Sequence, residues 1–331
     1  MPKHSIIIWD RAFRNFFHLL PSLAEQDYPL DQIQIVVVEQ NSEATAVTFA
    51  EREGCAPVGQ VIASLPKEIN VDVVYLEEDD QPYHPGRLLN EGLARSDGDI
   101  CSTMDCDVLV PRDFLRILDR LHARGPRVVT MARSEAAFPC GTTIADWKNQ
   151  IVDYDLVRNI CPNAWAPIPR DAPNKAPLLS ARRAHWDAIG GYDPHYVFST
   201  AYTKFGMDVS TRFKLLLGQE AEIPHPKRCI HPWHPTEVNR QGDSAKVLFS
   251  IQDMLIRWSV TKGAWSLDQR HEVAETLYRK NAKLIDWAVT NAETDQKTAT
   301  AQRPANPVER SRNRPRLRHL KSACNSPVEL R

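Results

Sequence analysis

Short apolar runs that alternate with helix-like segments constrain the fold of this chain more than any other feature. The runs occupy residues 5–8, 33–38, 71–76, 100–104 and 128–131. The run at 33–38 (IQIVVV) is almost continuously apolar, which is typical of a strand buried on both faces of a sheet. Between the runs, apolar residues recur at helical spacing over 11–26, 88–98 and 114–121. This alternation predicts an α/β fold with a mostly parallel, Rossmann-like sheet and helices on both faces. Ligands of such sheets usually bind outside the carboxyl ends of the strands.

The second half of the chain has a weaker pattern and divides into three parts. Residues 135–180 contain six prolines and form an irregular stretch, and such stretches are frequently functional. Two amphipathic helices are predicted over 247–258 and 273–288. We therefore expect a main domain at 1–240, a C-terminal helical extension at 241–290 packed on it, and a disordered basic tail at 291–331.

Composition and charge exclude several classes of protein. The 331 residues are 42% hydrophobic and 25% charged, which is ordinary for a globular protein, and the formal net charge of −1 argues against a nucleic-acid binder. No apolar run reaches the ~20 residues of a membrane helix. Seven cysteines without C-x-x-C spacing indicate a reduced, cytoplasmic setting. Residues 303–331 carry eight Lys or Arg and two Glu, so the tail either contacts anionic lipid on the inner membrane face or is merely solvated.

Two carboxylates, Asp105 and Asp107, flank Cys106 directly after the run at 100–104. Carboxylate oxygens at a strand end suit a hard divalent cation such as Mg²⁺ or Mn²⁺. Taken alone, a D-x-D motif more often marks a solvated strand end with a helix N-cap. The surrounding sequence decides between the two interpretations.

Several segments, in order along the chain, resemble blocks of glycosyltransferase family 2. They are 5–8 (SIII), 34–42 (QIVVVEQNS), 87–94 (RLLNEGLA), 96–99 (SDGD), 104–107 (MDCD), 182–193 (RRAHWDAIGGYD), 206–208 (GMD) and 230–235 (IHPWHP). Within the family, the segments 88–92 (LLNEG) and 105–111 (DCDVLVP) resemble the galactosyltransferase-like and chondroitin-polymerase-like branch. The resemblance implies the GT-A fold, a nucleotide-sugar donor, a divalent metal, and inversion of the anomeric centre by direct displacement.

The resemblance implies a metal site that holds the donor's diphosphate. Asp107 would bind Mn²⁺ or Mg²⁺, and Asp105 would contact the ribose or a metal-bound water. His231 would supply a second protein ligand, with His234 as the competing choice, and a polar surface turn is the alternative for both histidines. A zinc site of Cys229, His231 and His234 is a further option, although no fourth ligand lies at diagnostic spacing.

The resemblance also implies residues that bind the nucleotide. Glu39 would accept hydrogen bonds from the base or ribose. Arg87 would pair with a phosphate or bind near the nucleobase, and a solvated helix residue is its alternative interpretation. Gly190 and Gly191 are expected to form a tight turn with positive φ near the donor.

By the same resemblance, Asp208 would be the general base that takes the proton of the acceptor hydroxyl, a role typically worth ~10²–10⁴-fold in rate. The alternative for Asp208 is a helix N-cap, because residues 209–217 have the pattern of a helix start. The chain departs from the family pattern here. Met207 replaces the usual glutamate, and Ser210 replaces the usual second acid.

The leading hypothesis is a metal-dependent, inverting glycosyltransferase of the hexosyltransferase type. It would move a sugar, most often from a UDP-sugar, to a hydroxyl of a glycan or lipid-linked acceptor in polysaccharide or glycoconjugate synthesis. Trp147 and Trp165 are candidate sugar platforms on the acceptor side, with core packing as their alternative. Met207 motivates the second hypothesis, a catalytically silent relative that binds nucleotide sugar or glycan. A nucleotidyltransferase is disfavoured because residues 9–15 (WDRAFRN) lack glycine, and no P-loop motif occurs.

Overall fold

A seven-stranded sheet in the order β3-β2-β1-β4-β7-β5-β8 forms the centre of the molecule. The computed structural model describes residues 1–10, 19–52, 56–81, 83–106, 108–131, 134–136, 177–198, 204–223, 229–232 and 243–301. The strands are β1 (His4–Asp10), β2 (Ile33–Glu39), β3 (Asn70–Tyr75), β4 (Ile100–Met104), β5 (Val128–Met131), β6 (Ser134–Ala136), β7 (Leu178–Arg182), β8 (Glu220–Glu222) and β9 (Ile230–Pro232). All five predicted apolar runs form strands of the sheet.

The sheet is mostly parallel, as expected. β1 pairs in parallel with β2 and β4, β2 with β3, and β5 with β8, whereas β7 runs antiparallel between β4 and β5. Within the described residues, a second sheet consists of the parallel pair β6 and β9. The predicted fold class is confirmed in these respects.

Ten α-helices are described. They are α1 (Leu19–Ala24), α2 (Glu43–Arg52), α3 (Val58–Ala63), α4 (Pro85–Arg95), α5 (Phe114–His122), α6 (Arg183–Ile189), α7 (Lys204–Leu217), α8 (Asp243–Lys262), α9 (Leu267–Lys280) and α10 (Ala282–Ala301). Short 3₁₀ turns lie at Leu30–Gln32 and Tyr196–Phe198. No helix in the described part of the chain is both long enough and apolar enough to cross a bilayer.

Helices cover both faces of the sheet because successive residues of its central strands point to opposite sides. On β1, Ile6 and Ile8 pack with residues of α1 and α5, whereas Ile7 packs with residues of α4, α6 and α7. The hydrophobic cluster that contains Ile7 also contains residues of α8, α9 and α10. The C-terminal helices therefore share a core with the sheet.

The described part of the helix predicted over 11–26 is α1, and residues 11–18 lie outside the described residues. The single helix predicted over 273–288 is two helices. Asn281 ends α9, because its backbone is not helical (φ −111°, ψ 12°) and its side-chain amide donates to the Leu277 carbonyl (2.8 Å). The last helix, α10, continues to Ala301 and so crosses the tail boundary expected at 291.

Candidate functional site

The carboxyl ends of β1, β2, β3 and β4 lie side by side at one edge of the sheet. Asp10 is paired in register with Glu39, and Glu39 with Tyr75. Ile8 is paired with Met104, so Asp105 follows β4 at the same edge. The parallel register thus brings Glu39 and Asp105, two of the predicted donor-binding residues, to the edge at which such sheets bind ligands.

Glu39 is a buried carboxylate that its own turn holds in place. Its side chain is 3% exposed, and its Oε1 accepts hydrogen bonds from the backbone N–H of Asn41 (2.9 Å) and from the Asn41 side-chain amide (2.7 Å). Burial raises the pKa of nearby Tyr75, and the charges of Glu43 and Glu39 act in the same direction. This part of the edge is therefore electronegative.

Gln40, directly after β2, organises the loop at 78–84 beside the edge. Its buried side-chain amide donates to the Gln81 carbonyl (2.9 Å) and accepts from the His84 backbone N–H (3.3 Å). The structure pairs Arg87, at the start of α4, with Glu78 of this loop, and about half of the Arg87 side chain is exposed. Arg87 is thus near the edge but already bound to a carboxylate.

A buried tyrosine supports the end of β4 just before Asp105. The Tyr192 hydroxyl shares a hydrogen bond with Thr103 Oγ1 (2.7 Å), and its backbone N–H donates to Asn90 Oδ1 (2.8 Å). Burial raises the pKa of Tyr192, and the charge of Asp105 acts in the same direction. Gly190 and Gly191 have φ of +75° and +70°, so the predicted turn is confirmed; a Cβ on Gly191 would lie 2.5 Å from Asn90 Oδ1.

The backbone joins the segment after the D-x-D motif to the segment of the predicted histidine ligands. Leu109 and Ile230 exchange hydrogen bonds in both directions, at 2.9 and 3.0 Å. Asp107 precedes Leu109 by two positions, and His231 follows Ile230 directly. Asp107 and His234 lie outside the described residues, as does the His231 side chain, so their roles stay predictions.

No group of three or more His, Cys, Asp or Glu side chains within the described ranges is arranged to hold a metal ion. Cys229 is buried, and its backbone N–H donates to Met131 Sδ (3.1 Å). The zinc alternative needs His234 and therefore also stays a prediction. Trp147 and Trp165 lie outside the described residues.

Asp208, the predicted general base, lies in a buried ion-pair network. Its side chain is 1% exposed; Oδ2 accepts from Arg212 Nε at 3.0 Å, and Oδ1 accepts from Arg270 of α9. The helix-N-cap alternative for Asp208 is wrong, because α7 begins at Lys204, one turn earlier. Ser210 Oγ is buried without a hydrogen-bond partner among the described residues.

Arg270 also pairs with Asp193, which follows the Gly190-Gly191-Tyr192 turn. Burial would raise the pKa of the Asp193 carboxyl, but the Arg270 guanidinium holds it below its usual value. Burial would lower the pKa of Arg270, but Asp208 and Asp193 raise it. We call the four buried residues Asp193, Asp208, Arg212 and Arg270 the ionic quartet. Two arginines balance two carboxylates within it.

Sequence reasoning missed Arg270 and Gln40. Arg270 lies in the highly charged helix α9 (LDQRHEVAETLYRK), where such a residue usually has a solvated side chain. No local pattern marks a partner that is 62 positions away in sequence. Gln40 was missed although a glutamine directly after a fully buried strand has to satisfy its amide within the fold.

No protein-family model and no curated protein matches the chain. Solved structures do. TarS 1–349 from S. aureus in complex with UDP-GlcNAc has 15% identity and a TM-score of 0.57, over 90% of this chain and 81% of that chain. TarS 1–349 alone has 14% identity and a TM-score of 0.53 over 90% and 80%, respectively. A longer TarS structure has 15% identity and a TM-score of 0.54 over 84% of this chain and 43% of that chain. These likenesses show that the chain has a glycosyltransferase fold; they do not distinguish a branch.

Proposed function

We propose that this protein is a metal-dependent, inverting glycosyltransferase that moves a sugar from a nucleoside-diphosphate sugar to a hydroxyl acceptor. The fold is shared with TarS, which binds UDP-GlcNAc, and this similarity favours a UDP-sugar donor. One observation carries the metal site, namely the two hydrogen bonds between Leu109 and Ile230. These bonds join the segment that follows Asp107 to the segment that precedes His231.

The residues present fit a divalent metal. A carboxylate and an imidazole are ligands that Mn²⁺ accepts readily, whereas Mg²⁺ prefers oxygen alone. Asp107 and His231, or His234 in its place, would hold the ion, and Asp105 would contact the ribose or a bound water. When bound, the ion supplies neutralisation of the charge that develops on the departing diphosphate. Glu39 and Arg87 would bind the nucleotide, the latter after exchanging Glu78 for a phosphate or base.

In the proposed mechanism, an acceptor hydroxyl attacks the anomeric carbon while the diphosphate leaves from the opposite face. Asp208 would take the hydroxyl proton. An ionised carboxylate offers about four lone-pair positions, and the described guanidinium bonds occupy two of them. Asp208 can therefore accept a proton only at a position that Arg212 and Arg270 leave open. The acceptor is a glycan or a lipid-linked sugar in this proposal.

The metal site is tested with Asp107→Ala. Donor binding is measured by calorimetry with UDP-GlcNAc, with Mn²⁺ and with a chelator. We expect Asp107→Ala to remove the metal-dependent part of the binding, and Asp97→Asn, which changes an exposed carboxylate at the amino edge of β4, to leave it intact. Unchanged metal-dependent affinity in Asp107→Ala would contradict the metal site.

A catalytically silent binder of nucleotide sugar or glycan is the second candidate, favoured by Met207 and by the two arginines on Asp208. Release of UDP from the donor separates the two functions. Metal-dependent release supports transfer, whereas tight binding with no release in any acceptor mixture supports the silent protein. Contact of the basic tail with anionic lipid stays a prediction, since residues 302–331 lie outside the described part.

A further inference from the structure

Arg270 is the residue through which the C-terminal helices contact the proposed base. It lies on α9, it is 1% exposed, and its two terminal nitrogens donate to different carboxylates, Nη1 to Asp208 and Nη2 to Asp193. The Arg270 guanidinium also lies 5.5 Å from the centroid of the Phe198 ring. A planar fork of this kind fixes the separation of the two carboxylates it bridges.

The second arginine of the ionic quartet fixes the turn before Asp193. Arg212 donates to the carbonyls of Ile189 (2.7 Å) and Gly191 (2.6 Å) while its Nε donates to Asp208. Through Tyr192, the same turn holds Thr103 at the end of β4. Hydrogen bonds, joined through the covalent structure of Tyr192, therefore connect Arg270 to the end of β4, which the D-x-D motif follows.

We propose that Arg270 is a positioning residue for sugar transfer, which holds the Asp208 carboxylate in one orientation and locks the turn at 190–193 against the end of β4. This inference rests on the proposed function. The Arg270 and Arg212 guanidinium groups together occupy two lone-pair positions of Asp208 and so limit an acceptor hydroxyl to the remaining ones. Without Arg270, Arg212 is the described partner that remains on Asp208, and the longer hydrogen bond from Tyr278 (3.4 Å) is the described bond that remains between α9 and Asp193.

Removing Arg270 also changes the balance of charge around Asp208. The groups that face Asp208 are Arg212 from its own helix, Arg270 from α9, and beyond them Asp193 and Tyr278, whose hydroxyl donates to Asp193 (3.4 Å). His195 stacks on the Tyr278 ring. Removing the Arg270 charge leaves two carboxylates facing one arginine. With one arginine fewer, Asp193 and Asp208 repel each other, and among the described partners Arg212 alone then orients the Asp208 carboxylate.

Three variants test the inference. Arg270→Met removes the charge and the fork, Arg270→Lys keeps the charge alone, and the double variant Arg270→Met/Asp193→Asn restores the charge balance of the quartet without restoring the contact to Asp208. Lys204→Met is the matched control. Lys204 lies on α7, the helix of Asp208, and like Arg270 it forms an ion pair with another helix, here with Asp253 of α8 (2.8 Å), but it does not contact the quartet.

For each variant we would measure the melting temperature, donor affinity, kcat and KM of UDP-GlcNAc turnover. We expect kcat of Arg270→Met and of the double variant to fall at least about tenfold, with donor affinity within about threefold of wild type. Arg270→Lys should recover part of kcat, and Lys204→Met should match wild type.

The outcomes separate the two proposals. If the wild type turns over no nucleotide sugar, the proposed function fails and this inference falls with it. If the wild type is active and the double variant folds with wild-type kcat, only the role of Arg270 is overturned. If no Arg270 variant folds, Arg270 serves the fold alone, and the inference is equally overturned.

Discussion

His122 makes the stability of this protein depend on pH in a predictable way. Its side chain is 1% exposed, its Nε2 shares a hydrogen bond with Ser180 Oγ (3.0 Å), and its Nδ1 has no partner in the described part of the chain. Burial lowers the pKa of His122 from 6.5 to about 4, and the charges of His4 and Arg182 act in the same direction. The imidazole is therefore neutral in the folded protein at any pH near neutrality.

The magnitude follows from the difference between the two pKa values. In the unfolded chain His122 takes up a proton near pH 6.5, but in the folded protein only near pH 4. Between these values the unfolded state binds more protons, so the free energy of unfolding falls as the pH falls. Each unit is worth about 1.4 kcal/mol, which gives a loss of about 2 kcal/mol by about pH 5 and about 3 kcal/mol by about pH 4.

Urea unfolding of the wild type and of His122→Gln measures this loss. The glutamine amide keeps a hydrogen-bonding group for Ser180 but does not titrate. We expect the stability difference between wild type and variant to change by about 2 kcal/mol in favour of the variant between about pH 7 and pH 5. His195, whose pKa burial also lowers to about 4, titrates in both proteins and cancels from the difference.

A stability difference that stays constant from about pH 7 to pH 5 would refute the reasoning, because it would mean that His122 binds protons equally in both states. A change of the opposite sign would mean that a carboxylate, such as Asp119, whose charge raises the pKa of His122, holds the imidazole charged in the folded protein.

Two further predictions concern packing and the loop beside the edge. A Cβ on Gly92 would lie 2.3 Å from Ile7 Cγ2, so Gly92→Ala should lower the free energy of unfolding by about 1–3 kcal/mol, whereas Gly59→Ala, with open space around it, should not lower it. Gln40→Leu leaves the Gln81 carbonyl and the His84 N–H unpaired and should cost about 1–3 kcal/mol, while Gln60→Leu on the exposed side of α3 should change stability by less than about 0.5 kcal/mol. Urea unfolding at neutral pH measures all four variants, and equal effects in a pair would contradict the corresponding argument.

The sheet could be predicted from the sequence because its central strands are buried on both faces. Burial on both sides forces a continuous apolar run, as at β2, where all seven residues are buried. Because neighbouring parallel strands end at the same edge of a sheet, the sequence also predicts that Glu39, at the end of β2, and Asp105, after β4, lie at the same edge. The tight turn at Gly190 and Gly191 was predictable for a similar reason, because positive φ has its own residue preference.

The surroundings of Asp208 could not be predicted, because they depend on contacts between residues that are distant in sequence. The motif at 206–208 identifies a carboxylate, but whether it faces solvent or an arginine is decided by how α9 packs. The cluster that contains Ile7 of β1 also contains Ile251, Ala274 and Ile285 of the three C-terminal helices. A boundary near residue 240 therefore divides the sequence pattern but not the hydrophobic core. Because that core carries Arg270 to Asp208, the helices that sequence presents as an extension supply half of the positive charge around the proposed base.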